Sequence, residues 1–276
     1  MVSVIITVYN GELHLRNAIE SVLRQTLPAW ECVIVDDGST DTTPVILAGL
    51  SDPRFHVIRR ERIGRGRALN LACSSARAPY LAVLDADDEW LPDRLAKQVA
   101  FLESHPEVGI VGAGVFEVHE CDGEVVYRVT RLYPRDHAAI ARALARYTAF
   151  CHSAMMVRKS VWETVGGYDE SLPCSLDYDF WTRAMRVTQA ANLPEVLVVK
   201  RFHPEQRFRR DLPDEVRERV ASRLRLRTAR EHRLPVADQI IPLAYYLYAR
   251  LPRRLKLAGL KATVARALKR LAERRN

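Results

Sequence analysis

The sequence predicts an α/β fold: a doubly wound, mostly parallel sheet with a helical extension at its C-terminal end. Three observations predict it. Residues 2–7, 31–35 and 81–84 are largely apolar runs without strand-type alternation, as in strands buried on both faces. Helix-period segments lie between them, the long crossovers that parallel strands require. Each run also ends in polar or acidic residues, and ligands of open α/β sheets gather at the carboxyl ends of strands.

The first strand, residues 2–7, turns through Val8-Tyr9-Asn10-Gly11. Leu13, Leu15, Ala18, Ile19, Val22 and Leu23 then recur at helical spacing, and the helix stops before Pro28. The second strand, 31–35, runs into Asp36-Asp37-Gly38-Ser39-Thr40-Asp41, which suits a turn with a helix cap as well as a ligand contact. A helix over 45–50, a short strand over 55–59 and a helix over about 65–76 follow. The basic run Arg62-Ile63-Gly64-Arg65-Gly66-Arg67 at that helix start is either an anion site or a solvated loop.

The strand 81–84 breaks into Asp85-Ala86-Asp87-Asp88-Glu89. Residues two apart in extended backbone point the same way, so Asp85 and Asp87 can converge on one ligand. Converging carboxylates need a cation, and Mg²⁺ or Mn²⁺ takes oxygen ligands, with substrate phosphates completing the shell. The competing reading is a solvated turn or helix cap. Tyr9 can stack on a base, and a carboxylate at the second strand end can accept from a base or ribose. Neither G-x-G-x-x-G after the first strand nor G-x-x-x-x-G-K-[ST] occurs, so dinucleotide and P-loop readings lose their support.

At 276 residues the chain holds one large α/β domain and an extension. Its net charge of +8 is unevenly spread: residues 201–276 carry 21 Lys+Arg against 8 Asp+Glu, a net of +13, leaving −5 for residues 1–200. Cys32, Cys73, Cys121, Cys151 and Cys174 are odd in number and widely spaced, which points to free thiols in a reducing compartment. The first residues read as a strand rather than a signal peptide, and no run reaches the length of a membrane-spanning helix. These features predict a cytoplasmic location.

Beyond residue 90 the pattern predicts a helix over 91–104, strands over 108–118 and 125–130 joined at Asp122-Gly123, a helix over 136–147 and a strand over 153–157. Four motifs occur in order: Val4-Ile5-Ile6-Thr7-Val8-Tyr9-Asn10, Val33-Ile34-Val35-Asp36-Asp37-Gly38-Ser39-Thr40-Asp41, Ala68-Leu69-Asn70, and Leu84-Asp85-Ala86-Asp87-Asp88-Glu89-Trp90-Leu91-Pro92. Together they resemble the family 2 inverting glycosyltransferases of GT-A fold, over roughly residues 2–204. Gly166-Gly167-Tyr168-Asp169-Glu170 resembles the family's loop before its catalytic helix. Leu176-Asp177-Tyr178-Asp179-Phe180-Trp181-Thr182-Arg183 resembles its E-D-x-D-x-W-x-x-R region.

The resemblance implies that Thr7, Tyr9 and Asp37 hold the base and ribose of a nucleotide-diphospho-sugar, a UDP-sugar being the expected donor. Asp85 would lie near the ribose or sugar, and Asp87 would bind Mn²⁺ or Mg²⁺ on the diphosphate. Arg67 joins the donor site from the basic run. Lys200-Arg201-Phe202-His203-Pro204 resembles the loop closed over the diphosphate, with Arg201 on the donor and His203 on metal or phosphate. Asp177 falls at the general base; the lesser competing reading is an acid favoured by a helix N-terminus. Asp179 faces elsewhere, and His152 lines the acceptor site. Leu176 departs from the family, which has an acid there and so keeps open a non-catalytic nucleotide-sugar-binding protein. A sugar-phosphate nucleotidyltransferase is a second rival, disfavoured by the lack of a triphosphate cradle. The acceptor is expected to be a saccharide or lipid-linked hydroxyl in cell-surface glycan or glycolipid synthesis.

The expected organisation is a catalytic domain over 1–210, divided into a nucleotide-sugar half (1–104) and an acceptor half (105–210), with a basic helical extension over 211–276. In the extension, 215–232 is a basic helix, 240–251 an apolar Tyr-bearing one and 253–275 a basic amphipathic one. Residues 236–276 suit an anionic membrane surface, and equally packing on the catalytic domain or a homodimer contact. Nucleic acid is not expected, since no recognition fold accompanies the charge.

Overall fold

The computed structural model describes residues 1–121, 124–204, 206 and 212–251. Strands β1 (Val2–Val8), β2 (Trp30–Asp37), β3 (Phe55–Arg60) and β4 (Tyr80–Asp85) alternate with helices α1 (Leu15–Leu23), α2 (Thr43–Ala48) and α3 (Arg65–Ser75). β1 pairs in parallel with β2 and β4, and β3 lies outside β2, so this half is wound as the sequence predicts. There follow β5 (Glu89–Trp90), α4 (Arg94–Ser104), β6 (Val108–Cys121), β7 (Glu124–Arg131), α5 (His137–Leu144), β8 (Met156–Arg158), α6 (Lys159–Thr164), α7 (Leu176–Ala184) and β9 (Gln189–Phe202). The strand order is β3-β2-β1-β4-β8-β6-β9-β5, with β7 on β6. β8 runs antiparallel to both β4 and β6, which returns β6 and its parallel partner β9 to the direction of the first four strands. The sheet is thus mixed but mostly parallel.

Its apolar strands lack alternation because both faces are covered. Val4, Ile6, Ile34 and Leu84 pack with α1 and α4 on one side; Ile5, Val33, Leu81 and Val83 pack with α3, α5 and α7 on the other. Burying one such side chain contributes about 1.5–3 kcal/mol, so two full cores hold the strand ends, and with them the site, in place.

Two expectations change. The strand predicted over 153–157 is only Met156–Arg158, and His152–Ala154 form a 3₁₀ turn. Ser153 is diverted from a ladder: its hydroxyl accepts from the Asp85 amide at 3.1 Å and its carbonyl accepts from Trp90 Nε1 at 2.8 Å. The stretch beginning at Lys200, expected as loop, is the end of β9 as far as Phe202; Arg201 lies opposite Val118. Only His203 and Pro204 follow the strand. Asn192 and Pro194 interrupt the sequence pattern of β9, and the paired edge of β6, with its register shifts, supplies the ladder.

Helices α8 (Asp214–Glu231) and α9 (Val236–Tyr248) complete the described chain. Leu224, Ala229 and Leu234 join the core that contains α5 and α7. Asp238 of α9 pairs with Arg146 at 2.5 Å. The described part of the extension therefore docks on the catalytic half. The amphipathic stretch 253–275 and the Asp122-Gly123 turn lie outside the described residues. Among those described, no helix is long and apolar enough to cross a membrane.

Candidate active site

The acids after β4 divide into three roles. Asp85 is the last residue of β4, and Asp88 N–H donates to the Asp85 carbonyl at 3.0 Å, so a turn ends the alternation on which convergence of Asp85 and Asp87 was argued. Asp85 Oδ1 accepts from Arg65 Nη2 at 2.6 Å and faces His152 Nδ1 at 3.1 Å. Burial alone would raise its pKa, but Arg65 and then His152 outweigh that and hold the carboxyl well below the ordinary range. Asp88 is buried, accepting from Ser153 Oγ at 2.5 Å and from the Arg201 amide at 2.8 Å. Burial, then the neighbouring Asp87 carboxylate, pushes Asp88 up. Asp87 stays partly exposed; its Oδ2 lies 3.3 Å from His203 Nε2 and accepts from Gln206 Nε2 at 2.9 Å.

The basic run separates into three arginines with different partners. Gly64, at φ 92°, adopts the left-handed region open to glycine and starts α3, so Arg65 becomes its first residue and reaches back to Asp85. Arg65 is held charged by Asp85 first, with Asp177 and Asp87 adding to the effect. Arg67 instead pairs with Glu170 at 3.3 Å, and the Arg62 guanidinium lies 3.5 Å over the Tyr9 ring. Arg201 is tied to Glu89 at 2.6 Å and to Glu120, at the edge of the site.

Lys200 is a further cation here. Its pKa is raised, with Cys151 the first cause and Asp88, Tyr133 and Asp85 among the others. Burial pushes the Cys151 thiol itself up to about 12, which leaves Asp85, kept ionised by Arg65 and His152, as a carboxylate charge that faces this ammonium.

At the ends of β1 and β2, Thr7 is half-buried near the close of β1 and Tyr9 sits in the following turn under Arg62. Asp37 is buried, and its carboxylate accepts from the Ile63 amide at 2.7 Å and the Gly64 amide at 3.1 Å, which holds the loop before α3. A cleft of about 540 Å³ opens at the ends of β2 and β3, lined by Gly38, Ser39, Thr40, Arg59 and Arg62 among others. It does not include the acids after β4.

Asp177 stands in the first turn of α7, half-buried, with the Tyr178 amide donating to its Oδ1 at 2.8 Å. Asp179 points away, as expected: it is fully buried, with Arg183 Nε at 2.8 Å on Oδ2 and Arg227 of α8 on Oδ1. Leu176 is buried against Gly66 of α3, so an acid is replaced by a packing contact. Arg183 also donates to the carbonyls of Val165 and Gly167, both at 2.7 Å. The next residue, Tyr168, places its hydroxyl 3.1 Å from His152 Nε2. His152, expected at the acceptor, is buried between Tyr168 and Asp85 and orients that carboxylate.

A divalent ion fits Asp87 and His203: a carboxylate oxygen and an imidazole nitrogen face each other, and His203 Nδ1, although buried, has no hydrogen-bond partner among the described residues. No group of three or more His, Cys, Asp or Glu that could hold a metal occurs among the described residues. Mg²⁺ commonly binds through one or two carboxylates with phosphate and water filling the rest, and Asp87 is the carboxylate available for that here.

Residues 3–166 match the family model described as glycosyl transferase family 2. The chain belongs to that family. EpsE of Bacillus subtilis (strain 168), provisionally described as a glycosyltransferase, is 34% identical over 247 residues, covering 87% of this chain and 85% of its own. AmsE of Erwinia amylovora, an amylovoran biosynthesis glycosyltransferase, is 34% identical over 204 residues, 72% of this chain and 75% of its own. Among solved structures, S. aureus TarS 1-349 in complex with UDP-GlcNAc aligns with a TM-score of 0.69 at 20% identity, over 90% of this chain and 72% of that one. The mannosyltransferase PcManGT from Pyrobaculum calidifontis, in complex with GDP-Man and Mn²⁺, aligns at 0.63 with 23% identity, over 99% and 75%. These likenesses show the GT-A fold, and family membership makes the chain a glycosyltransferase.

For this family 2 glycosyltransferase, the sequence places Arg65, Lys200 and Tyr168 inside motifs but gives none of them a partner of its own. A signal for Arg65 was present: the residue after a helix-starting glycine points back at the strand ends. Lys200 and Tyr168 had none, since their positions depend on β9 and on the loop that Arg183 holds.

Proposed function

We propose that this enzyme transfers a sugar, with inversion, from a UDP-sugar to a hydroxyl of a saccharide or lipid-linked acceptor during glycan synthesis. The observation that carries the reading is the meeting of Asp87 and His203, 116 residues apart in sequence, at the carboxyl end of the sheet beside Asp85. Thr7, Tyr9 and Asp37 would take the base and ribose, with the cleft at β2 and β3 as their space. Asp85, kept ionised by Arg65 and His152, would accept from a ribose or sugar hydroxyl. Mn²⁺ or Mg²⁺ held by Asp87 and His203 would supply positive charge to the leaving diphosphate. Arg65, whose charge also faces Asp177 and Asp87, is better placed for the donor than Arg67 or the doubly paired Arg201. Asp177 would accept the acceptor hydroxyl's proton as that oxygen attacks the anomeric carbon opposite the diphosphate. The description of AmsE supports polysaccharide synthesis as the setting.

Melting temperatures against UDP-, GDP- and dTDP-sugars, each with Mn²⁺ and with chelator, test the donor; NMR of the product anomer tests inversion. A metal-dependent shift with a UDP-sugar and an inverted anomer are expected. No shift with any nucleotide sugar, or a retained anomer, would overturn the reading.

A further inference from the structure

Helices α8 and α9 enclose a groove of about 440 Å³ lined by Arg223, Leu226, Arg227, Arg230 and Glu231 of α8 with Leu243 and Tyr246 of α9. Arg227 is engaged by Asp179, and Glu231 faces Arg186 and Arg227. Arg223 and Arg230 are exposed and have no carboxylate partner among the described residues. The Arg250 guanidinium lies 3.4 Å over the Tyr246 ring, adding cationic charge beside the groove.

The second observation is on α9. Ile241 and Pro242 face inward, while Val236, Ile240, Leu243 and Leu247 are 78%, 53%, 42% and 57% exposed. Their spacing places them in one row along the helix. Leu243 belongs to both row and groove, so unpaired guanidiniums and an exposed apolar strip form one continuous face. Guanidinium forks match phosphate oxygens bidentately, and a helix presenting an apolar strip beside arginines suits the boundary between headgroups and acyl chains. The described residues 212–251 carry 8 Lys+Arg against 5 Asp+Glu, a net of +3, which together with Arg223 and Arg230 makes this face complementary to an anionic leaflet.

We propose that the α8–α9 groove binds the phosphate of an anionic phospholipid headgroup, with the apolar row of α9 seated at the acyl boundary. This site is separate from the acids after β4 and does not depend on the donor assignment. It leaves the catalytic half docked behind α8 through the Arg227–Asp179 pair, so the enzyme meets the membrane with its extension.

The test is sedimentation of the full chain with vesicles of phosphatidylcholine alone and with about a third phosphatidylglycerol, at low and high salt. At roughly 1 kcal/mol per basic residue at an anionic surface, Arg223→Ala with Arg230→Ala should lower partitioning about 30-fold. Leu243→Ser with Leu247→Ser should abolish the binding that persists at high salt. Both pairs are exposed, and unchanged donor hydrolysis checks that the variants are folded; single Arg223→Gln and Arg230→Gln changes provide a milder second set. Anionic vesicles retained equally by parent and arginine variants would overturn the proposal. So would stabilisation by inorganic phosphate without vesicle binding, which would make the groove a soluble-anion site. Conversion from dimer to monomer by the leucine variants, without vesicle binding, would assign the row to a second copy and also overturn it. Failure of donor hydrolysis in the parent would count against the proposed donor alone, and circular dichroism of the variants would then check their fold.

Discussion

Replacing Arg227 by alanine removes the donor that α8 presents to Asp179 Oδ1 and leaves that carboxylate with Arg183 on Oδ2. Asp179 has no exposure to solvent, so the abandoned oxygen cannot be rehydrated without opening the α7–α8 contact. Removing one partner of a buried ion pair costs about 3–5 kcal/mol, and a hydrogen bond to a charged group contributes about 1.5–3 kcal/mol. Here half the pairing survives and the Arg227 side chain is 33% exposed, which screens the interaction and favours the lower figure, about 2 kcal/mol. For a chain of this size each kcal/mol moves Tm by about 2–4 °C, so Arg227→Ala should melt about 4–8 °C lower. The effect should reach the site, because Arg183 holds the carbonyls of Val165 and Gly167 next to Tyr168, which meets His152, which meets Asp85. A thermal and urea double-mutant cycle with Asp179→Asn should give a coupling above about 1 kcal/mol. A loss under about 1 °C, roughly the scatter of surface substitutions, or a coupling below about 0.5 kcal/mol would show that α8 does not hold α7.

Three further outcomes follow from the site. Asp87→Ala should abolish the Mn²⁺-dependent part of donor binding by calorimetry while circular dichroism stays unchanged, because the group is partly exposed and outside both cores; unchanged metal dependence would remove Asp87 from the ion. Asp177→Asn should leave donor affinity near that of the parent and slow transfer about 10²-fold or more, the scale of general-base catalysis, whereas a rate within a few-fold would place the base elsewhere. Asp85 has a folded pKa below its unfolded value, so its stabilisation is complete above about pH 3.9 and is lost as pH falls through the folded pKa. The Tm difference between the parent and Asp85→Asn should therefore be largest near neutrality and shrink in acid; a difference that grows in acid would reverse the assigned shift.

Local pattern alone determined the first half of this protein. Unbroken apolar runs specify strands that must be covered on both faces, the helical segments between them supply that cover, and acids at strand ends mark the cleft, so β1 to β4 and their winding were legible residue by residue. The direction in which Asp179 points was legible too, since helical periodicity separates it from Asp177. Tertiary structure decided which charges meet. Arg65, Arg67 and Arg62 look alike in sequence, yet the turn at Gly64 sends one to Asp85, one to Glu170 and one over Tyr9. Asp87 meets His203 across 116 residues and Asp179 meets Arg227 across 48, and neither separation has a periodic signal. β9 was hidden for the same reason: its ladder comes from the edge of β6, and pairing at long range stabilises a strand whose own residues, Asn192, Pro194 and Lys200, do not announce one.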